Sequence, residues 1–126
     1  MNARSAVELR KDPGIVLAAV QQDGLALEHA DPELKKDREI VLAAVKQNGA
    51  ALKWASRELR KDSVIVLAAV EQHGNALYYA IKLQHDPVIV LAAVKQDAEA
   101  LRWASLKVRA QLGLGARGSR QLQLVE

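Results

Sequence analysis

The sequence predicts an all-α fold, a short helical-repeat solenoid of about four units with roughly 25 residues each. The first observation is the run Ile15-Val16-Leu17-Ala18-Ala19-Val20, which recurs at residues 40–45, 65–70 and 89–94. The second is an aspartate before each run, so that successive steps of 25, 25 and 24 residues separate Asp12, Asp37, Asp62 and Asp86. A fixed period of this length is the sequence signature of a stacked repeat array.

Each unit should begin with a helix, helix A, which in the first unit is predicted over about residues 13–23. Asp12 is suited to the N-cap because its carboxylate can accept from the free amides of the first turn, and Pro13 suits the first helical position. Gly24 is expected just past the helix end in the left-handed conformation. Because the recurring run is apolar all round, we expect helix A to be buried on every side between neighbouring units.

A shorter helix B is predicted next, at about residues 25–30 in the first unit, and one further helical turn at residues 32–36. The break between them is expected at Asp31, since a residue that precedes proline is disfavoured in the α conformation. Ser56 and Ser105 occupy the place of Asp31 in later units, and all three are good N-cap residues. The break should therefore recur in units without proline.

Two positions depart from the pattern. The third unit is one residue short at residues 81–85, where we expect a tightened turn without a cap at Ile81. In the fourth unit Ala98 replaces the glycine, and it should either strain the backbone or let helices A and B run together.

The repeat also divides the chain. Residues 1–11 match the end of a unit, so they are a partial repeat or an N-terminal cap. The array is predicted over residues 12–110, with units at 12–36, 37–61, 62–85 and 86–110. Residues 111–126 hold three of the seven glycines and no repeat pattern, and we expect a flexible tail there.

Composition limits the class of protein. The chain has no cysteine, which excludes disulfides and thiolate metal sites and leaves the redox compartment open. The longest apolar runs have about six residues, against the ~20 that a membrane-spanning helix needs, and the first residues lack a signal-peptide core. We therefore expect a soluble, intracellular protein of unassigned compartment. The net charge of +3 permits an anionic partner without requiring one.

The unit reads Asp-x-x-Ile-Val-Leu-Ala-Ala-Val-x-Gln-x-Gly-x-Ala-Leu, followed by Ala-Ser and Glu-Leu-Arg-Lys-Asp. It resembles the repeat of the family called domain of unknown function 4116, most closely at residues 37–62 and over roughly residues 5–110. The resemblance implies tandem helical repeats and no established activity, so it transfers no functional residues. Ala98 and the short third unit depart from the family's pattern.

Three rows of equivalent residues are candidate partner-binding sites. One glutamine closes helix A in every unit, and this row comprises Gln22, Gln47, Gln72 and Gln96. The four amides could line a surface that reads a peptide backbone. The simpler interpretation is that they stabilise the turn at the end of helix A.

The second row consists of the flat side chains His29, Trp54, Tyr79 and Trp103 on helix B. Such a ladder could stack bases or hold the side chains of a peptide. The alternative, which the apolar flanking positions favour, is packing between successive units.

The third row is basic and falls at the turns between units, as Arg10, Lys11, Lys35, Lys36, Arg60 and Lys61, with Gln84 and His85 in the third unit. In a stack with a spacing of about 10 Å these pairs would form a positive stripe that could follow phosphates or an acidic protein surface. The alternative is a solvated turn whose cations complement the helix dipole, and Glu8, Glu33 and Glu58 would dilute the stripe.

We expect no enzyme, no metal and no cofactor. The histidines, His29, His73 and His85, have neither ligand spacing nor a recurrent carboxylate partner, and the recurrent aspartates are accounted for as caps. The helix–glycine–helix pattern also resembles a helix-turn-helix motif, but helix B is short and its outward residue is variable, so DNA reading is a minor alternative.

The favoured function is a non-enzymatic scaffold for protein–protein interaction. The alternative is an anion-binding or nucleic-acid-binding array that uses the basic stripe, and a steep loss of binding with salt would distinguish it. A third possibility is a structural spacer within a larger assembly.

Overall fold

Residues 5–113 are described by the computed structural model, and every regular element among them is an α-helix or a 3₁₀ helix. Four ten-residue α-helices take the place of helix A, namely α2 (Pro13–Gln22), α3 (Arg38–Gln47), α4 (Ser63–Gln72) and α5 (Pro87–Gln96). A short α1 (Ala6–Arg10) precedes them and α6 (Leu106–Gln111) follows them. The predicted all-α helical repeat is confirmed.

Helix B is a six-residue 3₁₀ helix in every unit, at Gly24–His29, Gly49–Trp54, Gly74–Tyr79 and Ala98–Trp103. The further turn, here named helix C, is a three-residue 3₁₀ helix in the first three units, at Leu34–Lys36, Leu59–Lys61 and Ile81–Leu83. Three residues is a usual length for a 3₁₀ helix, whereas the six residues of helix B are more than most such helices have. Each unit therefore turns twice after helix A and returns the chain to the start of the next helix A.

The units pack in sequence, helix A against helix A and helix B against helix B. The core lies between these two rows. It is formed by the apolar residues of helices A together with one fully buried or nearly buried leucine from each helix B, at Leu27, Leu52, Leu77 and Leu101.

The predicted caps are confirmed. In α4, the carboxylate of Asp62 accepts from the backbone nitrogens of Val64 and Ile65 at 2.9 and 3.2 Å. The break before helix C is capped by Ser56, whose hydroxyl accepts from the Leu59 nitrogen at 3.3 Å, and Ser105 caps α6 in the same manner. As expected from the missing residue, no side chain caps the turn at Ile81.

The predicted left-handed glycine after helix A is wrong. Helix A ends at an extended residue, as at Asp23 with φ −145° and ψ 100°, and Gly113 is the only described residue with a positive φ. The glycine instead permits a close approach, since a Cβ on Gly49 would lie 2.2 Å from the carbonyl oxygen of Ala69 in the next unit. Both expectations for Ala98 are wrong for the same reason: it begins its helix B after an extended Asp97.

The expectation that helix A is buried on every side is also wrong. In α3, Ala44 and Val45 are fully buried, whereas Leu42 and Ala43 are partly exposed. Neighbouring helices therefore cover helix A incompletely, and one of its sides stays partly open to solvent.

The last α-helix reaches Gln111, one residue into the predicted flexible tail, and residues 114–126 of that tail lie outside the described residues. Within the described range, no helix is both long enough and apolar enough to cross a membrane.

Candidate functional site

The glutamine row joins consecutive units. The side-chain oxygen of Gln47 accepts a hydrogen bond from the backbone nitrogen of Gly24 at 2.5 Å, and Gln96 bonds to Gly74 in the same way at 2.5 Å. The side-chain nitrogen of Gln72 donates to the carbonyl oxygen of Lys46. Three of the four amides are therefore engaged by the backbone of the preceding unit, while Gln22 lies exposed on α2.

The ring row lies along the edge of the core. Trp54, Tyr79 and Trp103 are half-buried against it, and His29 is exposed. The Trp54 ring lies beneath two cations, with the Nζ atoms of Lys35 and Lys53 at 5.8 and 4.9 Å from its centroid. These contacts account for the rings as packing residues, and a binding role for the whole row stays a prediction.

The basic row lies where one unit meets the next, but its charges are partly neutralised. Lys36 pairs with Glu33 at 3.1 Å and Lys61 with Glu58 at 3.5 Å. Arg10 and Lys11 are exposed at the first turn. The basic row therefore consists of separate cations, and the glutamates interrupt the positive stripe that the sequence predicts.

Backbone hydrogen bonds close the turns of this row in a repeated manner. The nitrogens of Asp31, Ser56 and Ser105 donate to the carbonyl oxygens of Arg10, Lys35 and Gln84, each at 3.0 Å. Among the described residues no equivalent bond joins Ile81 to Arg60, because the third unit is one residue short there.

A cleft opens where this bond is missing. It consists of two adjoining cavities of about 400 and 460 Å³, which share Arg60, Tyr79 and Ile81. The first cavity is basic and is completed by Arg57, Lys61 and Lys82. The second is aromatic and is completed by Tyr78, Gln84 and Trp103. We call these nine residues the third-unit cleft.

The apolar part of the third-unit cleft is open to solvent. Ile81 is 69% exposed and Tyr78 is 50% exposed. The three rings meet edge to face, with the Tyr78 centroid 4.5 Å from that of Trp103 and 5.1 Å from that of Tyr79. The ring nitrogen of Trp103 donates to Asn75 at 3.0 Å, which fixes the far wall.

Arg60 carries an unsatisfied group within the cleft. Its Nε atom is buried and has no hydrogen-bond partner in the described part of the chain. Arg109 occupies the equivalent place in α6 and also has a buried, unpartnered Nε, but its Nη2 donates to the carbonyl oxygen of Arg102 at 3.1 Å. A buried donor without an acceptor costs about 1–3 kcal/mol, and the two Nη atoms of Arg60 are not among the buried, unpartnered atoms of the described residues.

An ion pair outside the cleft joins two units. Arg38 at the start of α3 donates from Nε to Asp62 Oδ2 at 2.8 Å. The hydrogen bond from Arg38 lowers the pKa of the Asp62 carboxyl below its ordinary value. This pair links two units and has a structural role.

The structure brings together four of the predicted site residues, Arg60, Lys61, Tyr79 and Trp103. It keeps the glutamine row, Trp54, Arg10, Lys11, Lys35 and Lys36 out of the cleft. Sequence reasoning missed Arg57, Tyr78, Ile81 and Lys82 as site residues, and it named Gln84 only as the uncharged third-unit member of the basic row. The signal that could have identified them is the missing residue itself, since a deletion at one turn of a regular stack leaves a gap there.

A metal centre finds no support in the described residues: none of their His, Asp and Glu side chains form a group of three or more that could hold an ion. The cleft lining likewise offers cations, rings and one amide, which are groups that bind and orient a ligand.

A protein-family model described as Domain of unknown function (DUF4116) matches the chain three times, at residues 12–60, 37–84 and 65–109. Each match spans about two of the units seen in the structure, and together the matches cover the array from α2 into α6. No curated protein and no solved structure matches the chain.

Proposed function

Because this chain belongs to the family described as Domain of unknown function (DUF4116), which assigns no activity, we propose from its surface that it is a non-enzymatic protein-interaction module. The third-unit cleft is the proposed binding site. The observation behind this proposal is the backbone bond missing at Ile81 within residues 5–113, where apolar and cationic side chains lie together at the surface.

Size and composition of the cleft support the proposal. Its two cavities, at about 400 and 460 Å³, fall within the ~300–1,000 Å³ typical of ligand sites. Tyrosine, tryptophan and arginine, which dominate binding hot spots in protein interfaces, line it together. Ile81 is an exposed apolar residue beside these anchors, and a partner that covers it would gain free energy from its burial.

The lining argues for binding and against catalysis. It includes no serine, cysteine, histidine, aspartate or glutamate, and among the described residues no hydrogen bond pairs its tyrosines with its lysines as nucleophile and base. The recurrent aspartates, the other candidates for chemistry, are occupied as helix caps.

The alternative is an anion-binding or nucleic-acid-binding array along the basic stripe. It requires cations that are free over several units, whereas Lys36 and Lys61 are paired with glutamates. We therefore place it second to a site confined to one unit.

Site-specific photo-crosslinking tests the proposed function. A photoreactive amino acid at Ile81 should give adducts with a partner protein in a lysate of the cells that make this protein. Val88 is the matched control, since it is 68% exposed on α5 against 69% for Ile81 and lies outside the cleft. Adducts at Ile81 that survive nuclease and are absent at Val88 would support the module. Equal labelling at both positions would contradict it, and adducts removed by nuclease would favour the alternative.

A further inference from the structure

We infer that the third-unit cleft takes an acidic segment of a partner protein, with one carboxylate held at Arg60 and a neighbouring apolar side chain against Tyr79 and Ile81. This inference rests on the proposed function and adds the chemistry of the ligand.

Charge is concentrated at the cleft. Residues 5–113 contain 15 of the 18 lysines and arginines and 14 of the 15 aspartates and glutamates, so this part of the chain has a formal net charge of only +1. Four of those cations nevertheless line one cavity of about 400 Å³ that no acidic residue lines, although one of them, Lys61, is paired with Glu58 at 3.5 Å. The field is local, which suits a short acidic segment better than a long polyanion.

Arg60 supplies the central contact. Its guanidinium is planar and can hold a carboxylate by two parallel hydrogen bonds, and one of its donors is already buried without an acceptor. The preceding turn shows what happens when the stack is closed. There Lys35 occupies the place of Arg60, its carbonyl accepts from Ser56 at 3.0 Å and its ammonium lies over Trp54.

The aromatic half of the cleft suits a side chain better than a base. Stacking of bases needs a free ring face. The rings of Tyr78, Tyr79 and Trp103 meet edge to face, and the guanidinium of Arg102 lies 5.7 Å from the Trp103 centroid. Ile81 and Tyr79 instead offer an apolar surface beside the cations, where an aliphatic side chain next to an acidic residue would be covered.

Fluorescence anisotropy with defined probes tests the inference on the full chain. The first probe is a short labelled peptide in which glutamates alternate with leucines, and the second has glutamine in place of every glutamate. At physiological salt the glutamate peptide should bind at least about tenfold more tightly, since it alone forms charge-assisted hydrogen bonds. Equal affinities, or no binding of the glutamate peptide, would overturn the acidic ligand.

The chain offers a matched pair of arginine variants. Arg60→Gln should weaken binding of the glutamate peptide about tenfold or more, because it removes the bidentate partner. Arg109→Gln removes the same charge from the equivalent place in α6 and should leave the affinity unchanged. Thermal melts by circular dichroism establish that both variants remain folded. An equal loss of peptide affinity in the two variants would show that the cleft is not the binding site.

An insertion tests the origin of the cleft without removing any cation. One serine placed between Ala80 and Ile81 restores the length of the third unit and should restore the backbone bond to the Arg60 carbonyl. The cleft should then close, and the glutamate peptide should lose its affinity although every cation is still present. Unchanged affinity in a folded insertion variant would show that surface charge alone binds the peptide.

Failure of the inference differs from failure of the proposed function. If the peptide does not bind while Ile81 still gives protein adducts that Val88 does not, the module stands and the acidic ligand is wrong. If a labelled oligothymidylate binds more tightly than the peptide and Arg60→Gln abolishes it, the cleft is a nucleic-acid site and both proposals are wrong.

Discussion

The side-chain oxygen of Gln47 lies 2.5 Å from the backbone nitrogen of Gly24 and accepts its hydrogen bond across the boundary between two units. The Gly24 amide begins a helix B, where the first amides lack partners within the helix. Asp23 of the same unit takes the next amide, that of Leu25, at 3.1 Å. The second unit thus completes the hydrogen bonding of the first, and Gln96 of the fourth unit does the same for Gly74 of the third, as expected of units that depend on their neighbours.

Removal of the Gln47 side-chain amide should destabilise the array. Gln47→Ala leaves the Gly24 nitrogen without its acceptor, and the free energy of unfolding should fall by about 1–3 kcal/mol. Gln22→Ala, at the exposed equivalent place on α2, should change it by less than about 0.5 kcal/mol. Urea denaturation followed by circular dichroism compares the two, and equal effects would refute a role for the bond between units.

The glycines that begin helix B should tolerate no side chain. In Gly49→Ala the new Cβ would meet the Ala69 carbonyl oxygen at 2.2 Å, so the two units must move apart. We expect a loss of about 1–3 kcal/mol from this overpacking. The reverse change, Ala98→Gly, should cost no more than about 1 kcal/mol, the propensity difference. Thermal melts measure both, and a harmless Gly49→Ala would contradict the close approach.

Two adjacent alanines of α3 allow the buried side of helix A to be compared with its partly exposed side. Ala44 is fully buried, so Ala44→Asp places an unpaired charge in the core and should cost at least about 3 kcal/mol. Ala43 is partly exposed, and Ala43→Asp should cost far less. A cooperative melt of Ala44→Asp within a degree or two of the wild type would refute the burial.

The stability should depend on pH through Asp62. Its folded pKa lies below the ordinary 3.8, chiefly because Arg38 donates a hydrogen bond to it. The stabilisation is therefore fully present well above pH 3.8 and is lost as the pH falls through the lower, folded pKa. In Arg38→Ala this loss on acidification should be smaller. Melting temperatures from neutral to acidic pH test this, with Lys46→Ala as the charge-matched control, and identical profiles for the two variants would contradict it.

Trp54 should matter for stability more than for binding. The ring packs against the core at a turn where the stack is closed. Trp54→Ala should lower the free energy of unfolding by about 2 kcal/mol, less than a fully buried tryptophan would. The affinity for the glutamate peptide should not change, because Trp54 lies outside the third-unit cleft. Unchanged stability with abolished binding would instead make the ring row functional.

Most of the fold could be predicted from sequence because its signals are local. Asp12 and Pro13 mark the start of helix A whatever packs around it, and Ser56 marks the break before helix C. The role of Gly49 could not be read in this way, because the carbonyl that requires it belongs to a residue 20 positions away. Sequence near Gly49 does not show this contact, because only the packing of one unit on the next brings the Ala69 carbonyl close.

The candidate site was partly predictable for the same reason. The rows of equivalent residues follow directly from the period, and Arg60, Lys61, Tyr79 and Trp103 belong to them. Their convergence depends on a hydrogen bond that one turn lacks, which is a relation between two units. Ile81 and Lys82 stand in no row, and only the geometry of the gap connects them to the others.

The missing residue in the third unit also bears on how such a protein can change over time. In a globular domain with one core, a deletion beside the core displaces everything that packs on it. Here the effect of the missing residue is confined to one turn, because the turns of the neighbouring units keep their backbone hydrogen bonds at Ser56 and Ser105. A repeat array therefore tolerates change in one unit: that unit can lose a residue and present a different surface while the other units keep the architecture.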